Sequence, residues 1–549
     1  MAAAKRRRLQ ELLGLGGVSD QALSDILERL RAEPVEGNVS RHTCNRAARD
    51  SIEDVKETTQ LPLVKGGQVK WTYLNPQKLL NKCIGRSPML ASGYEAALQD
   101  HPNSSESPWG LIVYFDELTP GNVLRLDNKR KTMAIYMSFA QLGHHRLCKT
   151  ELWLTIAVAR TSFIKTIAGG WSNMLRVLLR SAFLGADSFQ NGVVVHTRGP
   201  RFIFARLSNV IADEAALKLG LDCKGASGLR PCPMCKNVML KGSEVANRDR
   251  TGYLVEITCS DMDRFDWASD RDLFDVADLL QSSRGTMGVG AFKQLEMSTG
   301  FNHNERGILA DTELRPFLRP ASSFTFDPMH CLWSNGIVSV EVHCFLQRLR
   351  EQTQFSWRDI QMFCKADWQF PSFCRAKGRC IHEVFNEVRE RFSKYAFKAG
   401  ATEMLVVLPL LLHFGETWVA AALPREIESL RALAVVAHET QEAKFQRGDL
   451  GRMTAAITHH FALFRKNIQR RVGEAEASLC LPFDKTNGER WVSLRCFHIG
   501  EKTPTGEDSC FQHGQHSRLR NLSAIASAHR RAQNTSRRSC HGRATRSSS

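Results

Sequence analysis

Apolar residues recur with two different periods along the middle of the chain, and the two periods predict strands and helices. Unbroken apolar runs predict strands over residues 111–116, 132–139, 151–159 and 202–212. Apolar residues spaced three or four apart, which share one face of a helix, predict helices over 171–184 and 214–219. Three strands, a helix, a fourth strand and a second helix therefore follow one another.

The pattern changes on either side of this region. Residues 19–32 predict an amphipathic helix, and the polar, mixed residues 33–70 predict a linker or a small helical piece. Residues 223–330 are rich in Gly, Ser and Asp and predict a loop-rich insertion. Helical periods over 327–471 predict a mainly helical region. Residues 500–549 hold few large apolar side chains and predict a disordered tail.

The order of the strands and helices is the opening order of a ribonuclease-H-like α/β core, whose first and fourth strands are neighbours in the sheet. We therefore predict a mixed sheet with helices on both faces, interrupted by the insertion and completed by the helical region. The predicted parts are an N-terminal helical and linker region, the first part of the core, the insertion, the helical region that completes the core, and a basic tail: residues 1–107, 108–222, 223–326, 327–475 and 476–549.

Charge adds to this picture, because the formal net charge of +17 favours a polyanionic partner, and nucleic acid above all. A membrane surface would attract the same charge, and a basic protein needs no such partner at all. No apolar run reaches the roughly 18–20 residues that cross a bilayer, so no membrane span is predicted. The basic cluster of residues 5–8 is typical of a nuclear-import patch, which favours the nucleus, or of a plain solvated start. Sixteen scattered cysteines predict reduced thiols inside a cell.

Carboxylates stand at the ends of two predicted strands. Asp116 ends the run LIVYFD, and Asp213 follows the run FIFARLSNVIA. In the predicted sheet these strands are neighbours, so the two carboxylates lie side by side and repel each other unless a cation lies between them. Two Mg²⁺ or Mn²⁺ ions would fill that role and activate water against a phosphodiester. Alternatively, each aspartate is an ordinary turn or helix-capping residue.

A second constellation is RPCPMCKN, in which Cys232 and Cys235 have the spacing of a zinc knuckle. Pro233 and the loop-rich context favour structural Zn²⁺ over a thioredoxin-type redox site, which needs a strand before it and a helix after it. Two unrelated reduced cysteines are the alternative. The sequence leaves the remaining zinc ligands open among Cys223, Cys259, His330, Cys380 and His382.

The third constellation is FTFDPMHCLWSNG, which contains Asp327 and His330. The two residues are three apart and face one side if a helix begins here, and Pro328 suits the first turn of a helix. They are either additional metal ligands, or a pair that orients other ligands, or a capping aspartate beside a packed histidine.

Five segments together resemble the transposases of the DDE/D type, specifically the CACTA (En/Spm-like) group and its relatives in protists and fungi. The segments are FDELTPGN with KRKTMAIYMSFAQLG, then IADEAALKLG, CPMC, FDPMHCLWSNG and FKAGATEMLVVLPLLLHFG. They follow the family's order along the chain and cover roughly residues 108–415.

The resemblance implies a ribonuclease-H-like enzyme that cuts and joins DNA with two Mg²⁺ or Mn²⁺ ions and no small-molecule cofactor. Asp116 would be the first catalytic carboxylate and Asp213 the second. Glu403, in the helix with AGATEMLVVLP, would be the third, with Glu341 and Glu387 as competitors. CPMC would be a structural zinc knuckle in the insertion. DPMH would match the Asp/Cys-x-x-His element between the second and third acids.

Three hypotheses follow from the sequence. The first is a metal-dependent transposase that acts on DNA in the nucleus, with a homo-oligomer as one option for its assembly. The second is a domesticated or degenerate transposase that binds nucleic acid without catalysis, and the lack of a recognisable N-terminal module for reading DNA ends favours it. The third is a zinc-stabilised interaction scaffold whose acids are ordinary caps.

Overall fold

The computed structural model describes these stretches of the chain: residues 50–118, 131–240, 242–257, 259, 261–333, 336–366, 396–442 and 450–474. The chain is divided into two compact units, Met1–Lys56 and Glu57–Ser549. The central sheet and the helices named below lie in the second unit. The predicted helix over 19–32, the basic cluster of residues 5–8 and the predicted tail fall outside the described stretches.

A hairpin precedes the central sheet. Strands β1 (Lys56–Pro62) and β2 (Gln68–Leu74) pair with each other, and Gly66 and Gly67 turn the chain between them with φ angles of 87° and 81°. Glycine adopts such angles at no steric cost. The prediction of a linker over 33–70 is therefore wrong from β1 onward, because a Gly-Gly pair between β-branched and aromatic residues is a hairpin signal.

Two helices follow, α1 (Pro76–Arg86) and α2 (Pro88–Asp100), and each begins with a capping side chain and a proline. The side chains of Asn75 and Ser87 accept hydrogen bonds from the backbone amides three residues further on. Proline suits the next position because it has no amide hydrogen to leave unpaired. Tyr94 of α2 packs against aromatic rings of the central sheet, so this helix lies on the core.

In the described residues, nine more strands follow in chain order: β3 (Trp109–Leu118), β4 (Thr132–Phe139), β5 (Leu154–Arg160), β6 (Val193–His196), β7 (Pro200–Ile203), β8 (Ala205–Ala212), β9 (Val238–Met239), β10 (Val255–Glu256) and β11 (Phe324–Phe326). Five of them form the central sheet in the order β11-β8-β3-β4-β5. β8 pairs in parallel with both β3 and β11, whereas β4 is antiparallel to β3 and β5. The sheet is therefore mixed.

The predicted strands agree with the structure to within two residues, except at two places. β5 begins at Leu154, later than predicted, because residues 150–152 form a 3₁₀ turn. The predicted strand over 202–212 is in fact two strands, since the chain changes partner at Phe204: β7 pairs with β6, and β8 pairs with β3. The first and fourth predicted strands, β3 and β8, are neighbours, as predicted.

Helix α3 (Gly170–Phe183) packs on the sheet, and α4 (Glu214–Leu221) follows β8 directly. Trp171 of α3 meets Phe115 of β3 with ring centroids 5.4 Å apart. The face of α3 that the sequence predicts to be apolar is buried, and it comprises Leu175, Leu178, Leu179 and Ala182. Both predicted helices are confirmed, and α4 begins where β8 ends.

The insertion is less loop-rich than predicted. Besides β9 and β10 it contains helices α5 (Asp270–Ser283) and α6 (Val289–Thr299). Ser269 and Asp272 form a capping box at the start of α5. The spacing Ser-x-x-Asp is a sequence signal for a helix start, and the prediction from Gly, Ser and Asp content did not use it.

Helices dominate the last part of the described chain, as predicted for residues 327–471. They are α7 (Ile337–Gln352), α8 (Trp357–Ala366), α9 (Ala401–Trp418), α10 (Pro424–Glu442) and α11 (Leu450–Glu474). Short unlabelled α-helical turns lie at Gly143–Leu147, Thr161–Ile164 and Glu244–Asn247. Among the described residues, no helix combines the length and the apolar character that a bilayer crossing requires.

A candidate carboxylate site at the edge of the central sheet

Two adjacent parallel strands carry aspartates to the same edge of the central sheet. Tyr114 of β3 lies opposite Ile211 of β8. Asp116 and Asp213 each follow this last paired position by two residues, so they occupy equivalent places in the two strands. Ligands of α/β sheets bind at the carboxyl ends of parallel strands, and this is the edge at which both acids lie.

A third aspartate reaches this edge from β11, on the other side of β8. Phe326 of β11 pairs with Ala212 of β8, and Asp327 is the next residue. The backbone amide of Asp327 donates a 2.7 Å hydrogen bond to the Ala212 carbonyl, which holds the end of the strand in register. Three neighbouring parallel strands therefore each bring an aspartate to this edge, Asp116 near the end of β3 and Asp213 and Asp327 directly after β8 and β11.

Asp116 is half-buried and accepts two hydrogen bonds. Its Oδ1 accepts from the Glu117 backbone amide at 2.7 Å, and its Oδ2 accepts from the Tyr114 hydroxyl at 3.3 Å. Burial raises the pKa of Asp116, and the negative charge of Asp213 raises it further. The Glu117 amide and His330 lower it, but the net result is a pKa above the usual value. A cation at this edge would favour the ionised carboxylate.

The second acid of the pair, Glu117, has its own partners. Successive side chains of a strand point to opposite faces, and the Glu117 carboxylate accepts hydrogen bonds from Lys131 at 2.5 Å and Thr161 at 2.7 Å. Burial raises the pKa of Glu117, but these two hydrogen bonds outweigh burial and the pKa is lowered. The two neighbouring acids of β3 therefore have different surroundings. Glu117 pairs with Lys131, whereas Asp116 lies with Asp213 at the carboxyl ends of the parallel strands.

Asp213 is the capping residue of α4 as well as the end of β8. Its Oδ1 accepts a 2.7 Å hydrogen bond from the Ala216 backbone amide. The sequence left a capping residue and a metal ligand as alternatives, and the position of Asp213 accommodates both. Because the cap engages Oδ1, Oδ2 is the oxygen with which Asp213 would meet a cation.

Asp327 and His330 form a pair at the start of a helical turn. Asp327 Oδ1 accepts from the Met329 backbone amide at 2.9 Å, and Oδ2 lies 2.7 Å from His330 Nδ1. This hydrogen bond raises the pKa of His330, burial opposes it, and the charges of Asp327, Asp213 and Asp116 raise it further. The imidazole thus lies within electrostatic reach of all three aspartates.

We call Asp116, Asp213, Asp327 and His330 the carboxylate cluster. Tyr114 lies beside it: burial raises the pKa of its hydroxyl far above the ordinary value, and the charges of Asp327, Asp116 and Asp213 add to that effect. The hydroxyl therefore stays protonated and can donate to Asp116. The charges of these aspartates shift the pKa values of Tyr114 and His330, and the strand register brings the same residues to one edge, so the side chains lie close together.

The acids proposed for the third catalytic position lie in different surroundings. Glu403 occupies the first turn of α9, where its Oε2 accepts a 2.8 Å hydrogen bond from the Gly400 backbone amide. Glu341 is buried in α7 and bonded to Ser429 and His460. Glu387 falls outside the described residues. The acid that the sheet itself aligns with Asp116 and Asp213 is Asp327.

The donor set of the cluster suits a hard divalent cation, because Mg²⁺ and Mn²⁺ prefer carboxylate oxygens. Within the described residues, however, no group of three or more His, Cys, Asp or Glu side chains is arranged to hold a metal ion. Backbone amides, Tyr114 and His330 engage oxygens of these carboxylates instead. The residues fit such a cation chemically, and binding one requires the carboxylates to turn towards each other.

The predicted zinc knuckle is a tight turn of buried thiols. Cys232 and Cys235 are both buried and free of disulfides. Burial raises the pKa of the Cys223 thiol well above its usual value, and the charges of Asp222 and Cys232 contribute, so Cys223 lies near Cys232. Cys259 Sγ donates to the Asp261 carbonyl at 3.6 Å. Zinc at this turn therefore stays a prediction, with Cys223 as an additional thiol close to Cys232.

Two other predicted zinc ligands, Cys380 and His382, fall outside the described residues, and His330 belongs to the carboxylate cluster. No pattern in the sequence marks Tyr114 as part of the site, although its position two residues before Asp116 puts both side chains on one face of β3. Asp327 lies in a predicted motif, but the strand FTF before it was not predicted, because a run of three residues is too short for a period to be read.

No family model matches this chain, and no curated protein matches it at a significant level. The functional assignment therefore depends on the sheet, its acids and the motifs of the sequence.

Proposed function

We propose that this chain is a transposase, or a protein derived from one, that cleaves and joins DNA strands with the help of divalent metal ions. The observation that supports this most strongly is the set of three aspartates, Asp116, Asp213 and Asp327, at the ends of three neighbouring parallel strands. Carboxylates gathered in this way are the usual means of binding paired metal ions for phosphodiester chemistry.

The topology supports a ribonuclease-H-like core. β3, β4 and β5 form consecutive antiparallel neighbours, α3 follows, and the next strand of the sheet, β8, returns to lie beside β3. This placement of the first and fourth core strands is the one that the predicted fold requires. It also brings Asp116 and Asp213 together although they are nearly a hundred residues apart in the sequence.

In this proposal Asp116, Asp213 and Asp327 hold Mg²⁺ or Mn²⁺, and the ions would activate water and the attacking 3′ hydroxyl. Asp213 would contribute Oδ2, which the α4 cap leaves accessible, and Asp116 would contribute the second lone pair of an oxygen that already accepts from the Glu117 amide or the Tyr114 hydroxyl. His330 keeps Asp327 oriented through the 2.7 Å hydrogen bond. Glu403, the third acid implied by the resemblance, remains the alternative to Asp327.

The surrounding protein would bind the DNA backbone and act in the nucleus. The net charge of +17 supports a polyanionic substrate. A structural zinc ion at Cys232 and Cys235 would stabilise the insertion, because thiolates at this spacing bind zinc tetrahedrally. A homo-oligomer would allow two such sites to act on two DNA ends.

The test is nicking of supercoiled plasmid by the full chain with Mg²⁺. Asp116→Asn removes a charge at the cluster while keeping the shape of the side chain, so we expect it to abolish nicking. Glu117→Gln is the matched control, since the neighbouring acid is bonded to Lys131 and Thr161 and should tolerate the change in the nicking assay. Undiminished nicking by Asp116→Asn would refute the assignment.

A second candidate is a degenerate transposase that binds nucleic acid and performs no chemistry. The observation that favours it is that the cluster's carboxylates are engaged by local hydrogen bonds rather than arranged as a metal site in the described residues. This candidate predicts salt-sensitive DNA binding with no nicking by the unaltered chain in either Mg²⁺ or Mn²⁺.

A further inference from the structure

One face of strands β4 and β5 is open to solvent beside the carboxylate cluster. α3 packs on the opposite face of the sheet, where Trp171 meets Phe115. Val158 of β5, the strand at the edge of the sheet, is 56% exposed. We give the name open face to the half-buried Tyr136 of β4 and three exposed residues of β5, which are Thr155, Val158 and Arg160.

The strand register puts Asp116 and Arg160 on the same face of the sheet. Asp116 of β3 lies opposite Ala134 of β4, and Ala134 lies opposite Val158 of β5. Residues directly opposite each other in paired strands share a face. Arg160 is two residues beyond Val158 and therefore shares that face as well. The open face is thus a continuation, across two strands, of the surface that carries Asp116.

Tyr136 connects the carboxylate cluster with the open face. Its ring stacks on Tyr114 with centroids 6.1 Å apart and an angle of 25° between the ring planes. Tyr114 in turn donates its hydroxyl hydrogen to Asp116. Burial raises the pKa of Tyr136, and the negative charge of Asp116 raises it further. The open face therefore begins directly beside the acids.

The distance from Asp116 to Arg160 follows from the geometry of the sheet. Neighbouring strands lie about 4.8 Å apart, so β3 and β5 are separated by about 10 Å, and two residues along a strand add about 7 Å. The backbones of Asp116 and Arg160 are therefore roughly 12 Å apart. This separation equals the axial rise of about three to four base pairs of DNA, at about 3.4 Å each.

Arg160 is an exposed cation that the fold does not use. Among the residues that the structure describes, none forms an ion pair or a hydrogen bond with its guanidinium. The neighbouring cations are engaged on the opposite face, because Lys131 pairs with Glu117 and Lys165 lies close enough to act on Glu117 electrostatically. Arg160 is therefore the cation that faces the same side as Asp116 at this end of β5.

The other charges near the open face do not neutralise Arg160. At the opposite end of β5, the exposed side chains of Lys149 and Glu151 offset each other. The acids of the carboxylate cluster lie at the same edge as Arg160, and bound divalent cations would neutralise them. A loaded cluster therefore leaves a positively charged surface beside it.

The position of the open face identifies what would cover it. A phosphodiester at Asp116 continues into DNA on both sides, and that DNA must pass over the protein next to the cluster. Val158 is a single exposed apolar residue among polar ones, which is normal on a protein surface and does not indicate a protein partner. An exposed arginine that continues the surface of the acids favours the substrate itself.

We propose that Arg160 is a substrate-positioning residue, which binds a DNA phosphate about three to four nucleotides from the phosphate at the carboxylate cluster. The strand between these two phosphates lies over Tyr136 and Val158. A guanidinium offers several donors in a fixed geometry that matches phosphate oxygens. The inference rests on the proposed function, because it locates the substrate of that same site.

The first test measures the affinity of the full chain for a fluorescently labelled DNA duplex by anisotropy, over a series of salt concentrations in Ca²⁺, which carboxylates also bind. Arg160→Gln should weaken binding about tenfold at low salt and reduce the slope of log affinity against log salt by about 0.9, the value for one phosphate contact. Arg160→Lys keeps the charge and should keep the slope. Arg250→Gln, which removes an exposed arginine of the insertion, is the matched control.

The second test separates binding from chemistry in the plasmid-nicking assay with Mg²⁺. Arg160→Gln should raise the plasmid concentration needed for half-maximal nicking about tenfold, while the maximal rate stays within about twofold, since the lost contact stabilises substrate and transition state equally. Asp116→Asn, in contrast, should lose the maximal rate. A purely structural contribution of Arg160 would not produce this division.

The third test places a charge in the path of the DNA between Asp116 and Arg160. Val158→Glu should weaken DNA binding about tenfold by repelling phosphates, whereas Val158→Lys should bind at least as tightly as the unaltered chain. Val194→Glu changes another exposed valine, on β6, and is the control. Thermal melting verifies that the four variants of Val158, Val194 and Arg160 with altered charge fold.

The proposal is overturned if Arg160→Gln changes the salt slope no more than Arg250→Gln does, or if Val158→Glu binds DNA like Val194→Glu. Arg160 would then be a solvated charge that deters pairing at an edge strand. If the unaltered chain binds DNA through Arg160 but does not nick plasmid, the catalytic proposal fails and this one stands. If Asp116→Asn abolishes nicking and Arg160→Gln has no effect, the reverse holds.

Discussion

At the scale of single residues, the carboxylate cluster is held by short local contacts. Asp116, Asp213 and Asp327 each accept a hydrogen bond from a backbone amide within three residues of themselves. Such bonds fix the direction of each carboxylate in the absence of a cation, and a bound cation would have to turn the carboxylates towards each other. They also show why capping and metal binding are not exclusive, because a carboxylate has two oxygens and a cap uses one.

The identity of the third acid can be tested by a pair of substitutions. Asp327→Asn keeps an acceptor for the Met329 amide but removes the charge next to His330, so we expect it to abolish Mg²⁺-dependent nicking. Glu403→Gln is the comparison, with thermal melting used to verify that both variants fold. If nicking is lost in Glu403→Gln and kept in Asp327→Asn, the third position returns to Glu403.

A second prediction concerns Asp222, a half-buried residue in the left-handed conformation with φ of 59°. Burial raises its pKa from 3.8 to about 7, while hydrogen bonds with Asn304 and Ser172 oppose the shift. A folded-state pKa above the unfolded value means that the stabilising contribution is fully present below about pH 4. It is lost progressively as the pH rises towards 7.

Asp222→Asn removes this titration, and asparagine tolerates the left-handed conformation. Between pH 4 and 8, we expect the free energy of unfolding of the unaltered chain to fall relative to the variant by on the order of 2–4 kcal/mol. Urea denaturation over a pH series measures the difference, and every other titrating group is common to both proteins. Parallel pH profiles would contradict the shifted pKa.

Asp116, Asp213 and Asp222 show which features of the site can be predicted from the sequence and which cannot. Asp116 and Asp213 could be found because each ends a recognisable apolar run. The burial of Asp222 could not, since it depends on Asn304, a partner 82 residues away in the chain. Which acid accompanies the first two likewise depends on the pairing of β11 with β8, and no local pattern encodes that pairing.

At the scale of elements, the β8–α4 junction depends on one residue for two roles. Asp213 directly follows the strand, where it would bind a cation, and it also caps the helix. Substitution by serine separates these two contributions. Serine caps helices about as well as aspartate, so Asp213→Ser should leave the free energy of unfolding within about 0.5 kcal/mol while it abolishes nicking. Asp213→Ala should lose nicking and about 1 kcal/mol of stability as well.

Denaturant melts and the plasmid assay together measure this prediction. Equal stability of the serine and alanine variants would mean that the 2.7 Å bond to Ala216 contributes nothing. Retained nicking in Asp213→Ser would remove Asp213 from the site and leave it a cap alone.

The elements that could be predicted from the sequence are those whose hydrophobic pattern extends over many residues, such as α3 and β3. The missed elements have short or misleading signals. The β1–β2 hairpin was hidden by polar residues on its exposed face, and only the Gly66-Gly67 turn marked it. β7 and β8 were merged because their apolar runs are continuous, and the change of strand partner at Phe204 leaves no trace in hydrophobicity.

At the scale of the whole molecule, the helical region is joined by one buried polar network. Glu341 of α7 accepts from Ser429 of α10 at 2.7 Å and contacts His460 of α11 at 2.5 Å. Glu341 and His460 are 3% and 1% exposed. The sequence predicted these helices, but it could not predict the network, whose members are 88 and 119 residues apart.

Buried polar groups cost free energy when a partner is removed, so this network should control how the three helices pack. Glu341→Ala leaves Ser429 and His460 without their carboxylate, and we expect a loss of about 3 kcal/mol in the free energy of unfolding. Glu416→Ala, which breaks an exposed pair with Arg431, is the matched control and should cost less than about 1 kcal/mol. Urea denaturation compares them. Equal costs would mean that apolar contacts alone hold α7, α10 and α11 together, and Glu341 would then again be a candidate for chemistry rather than packing.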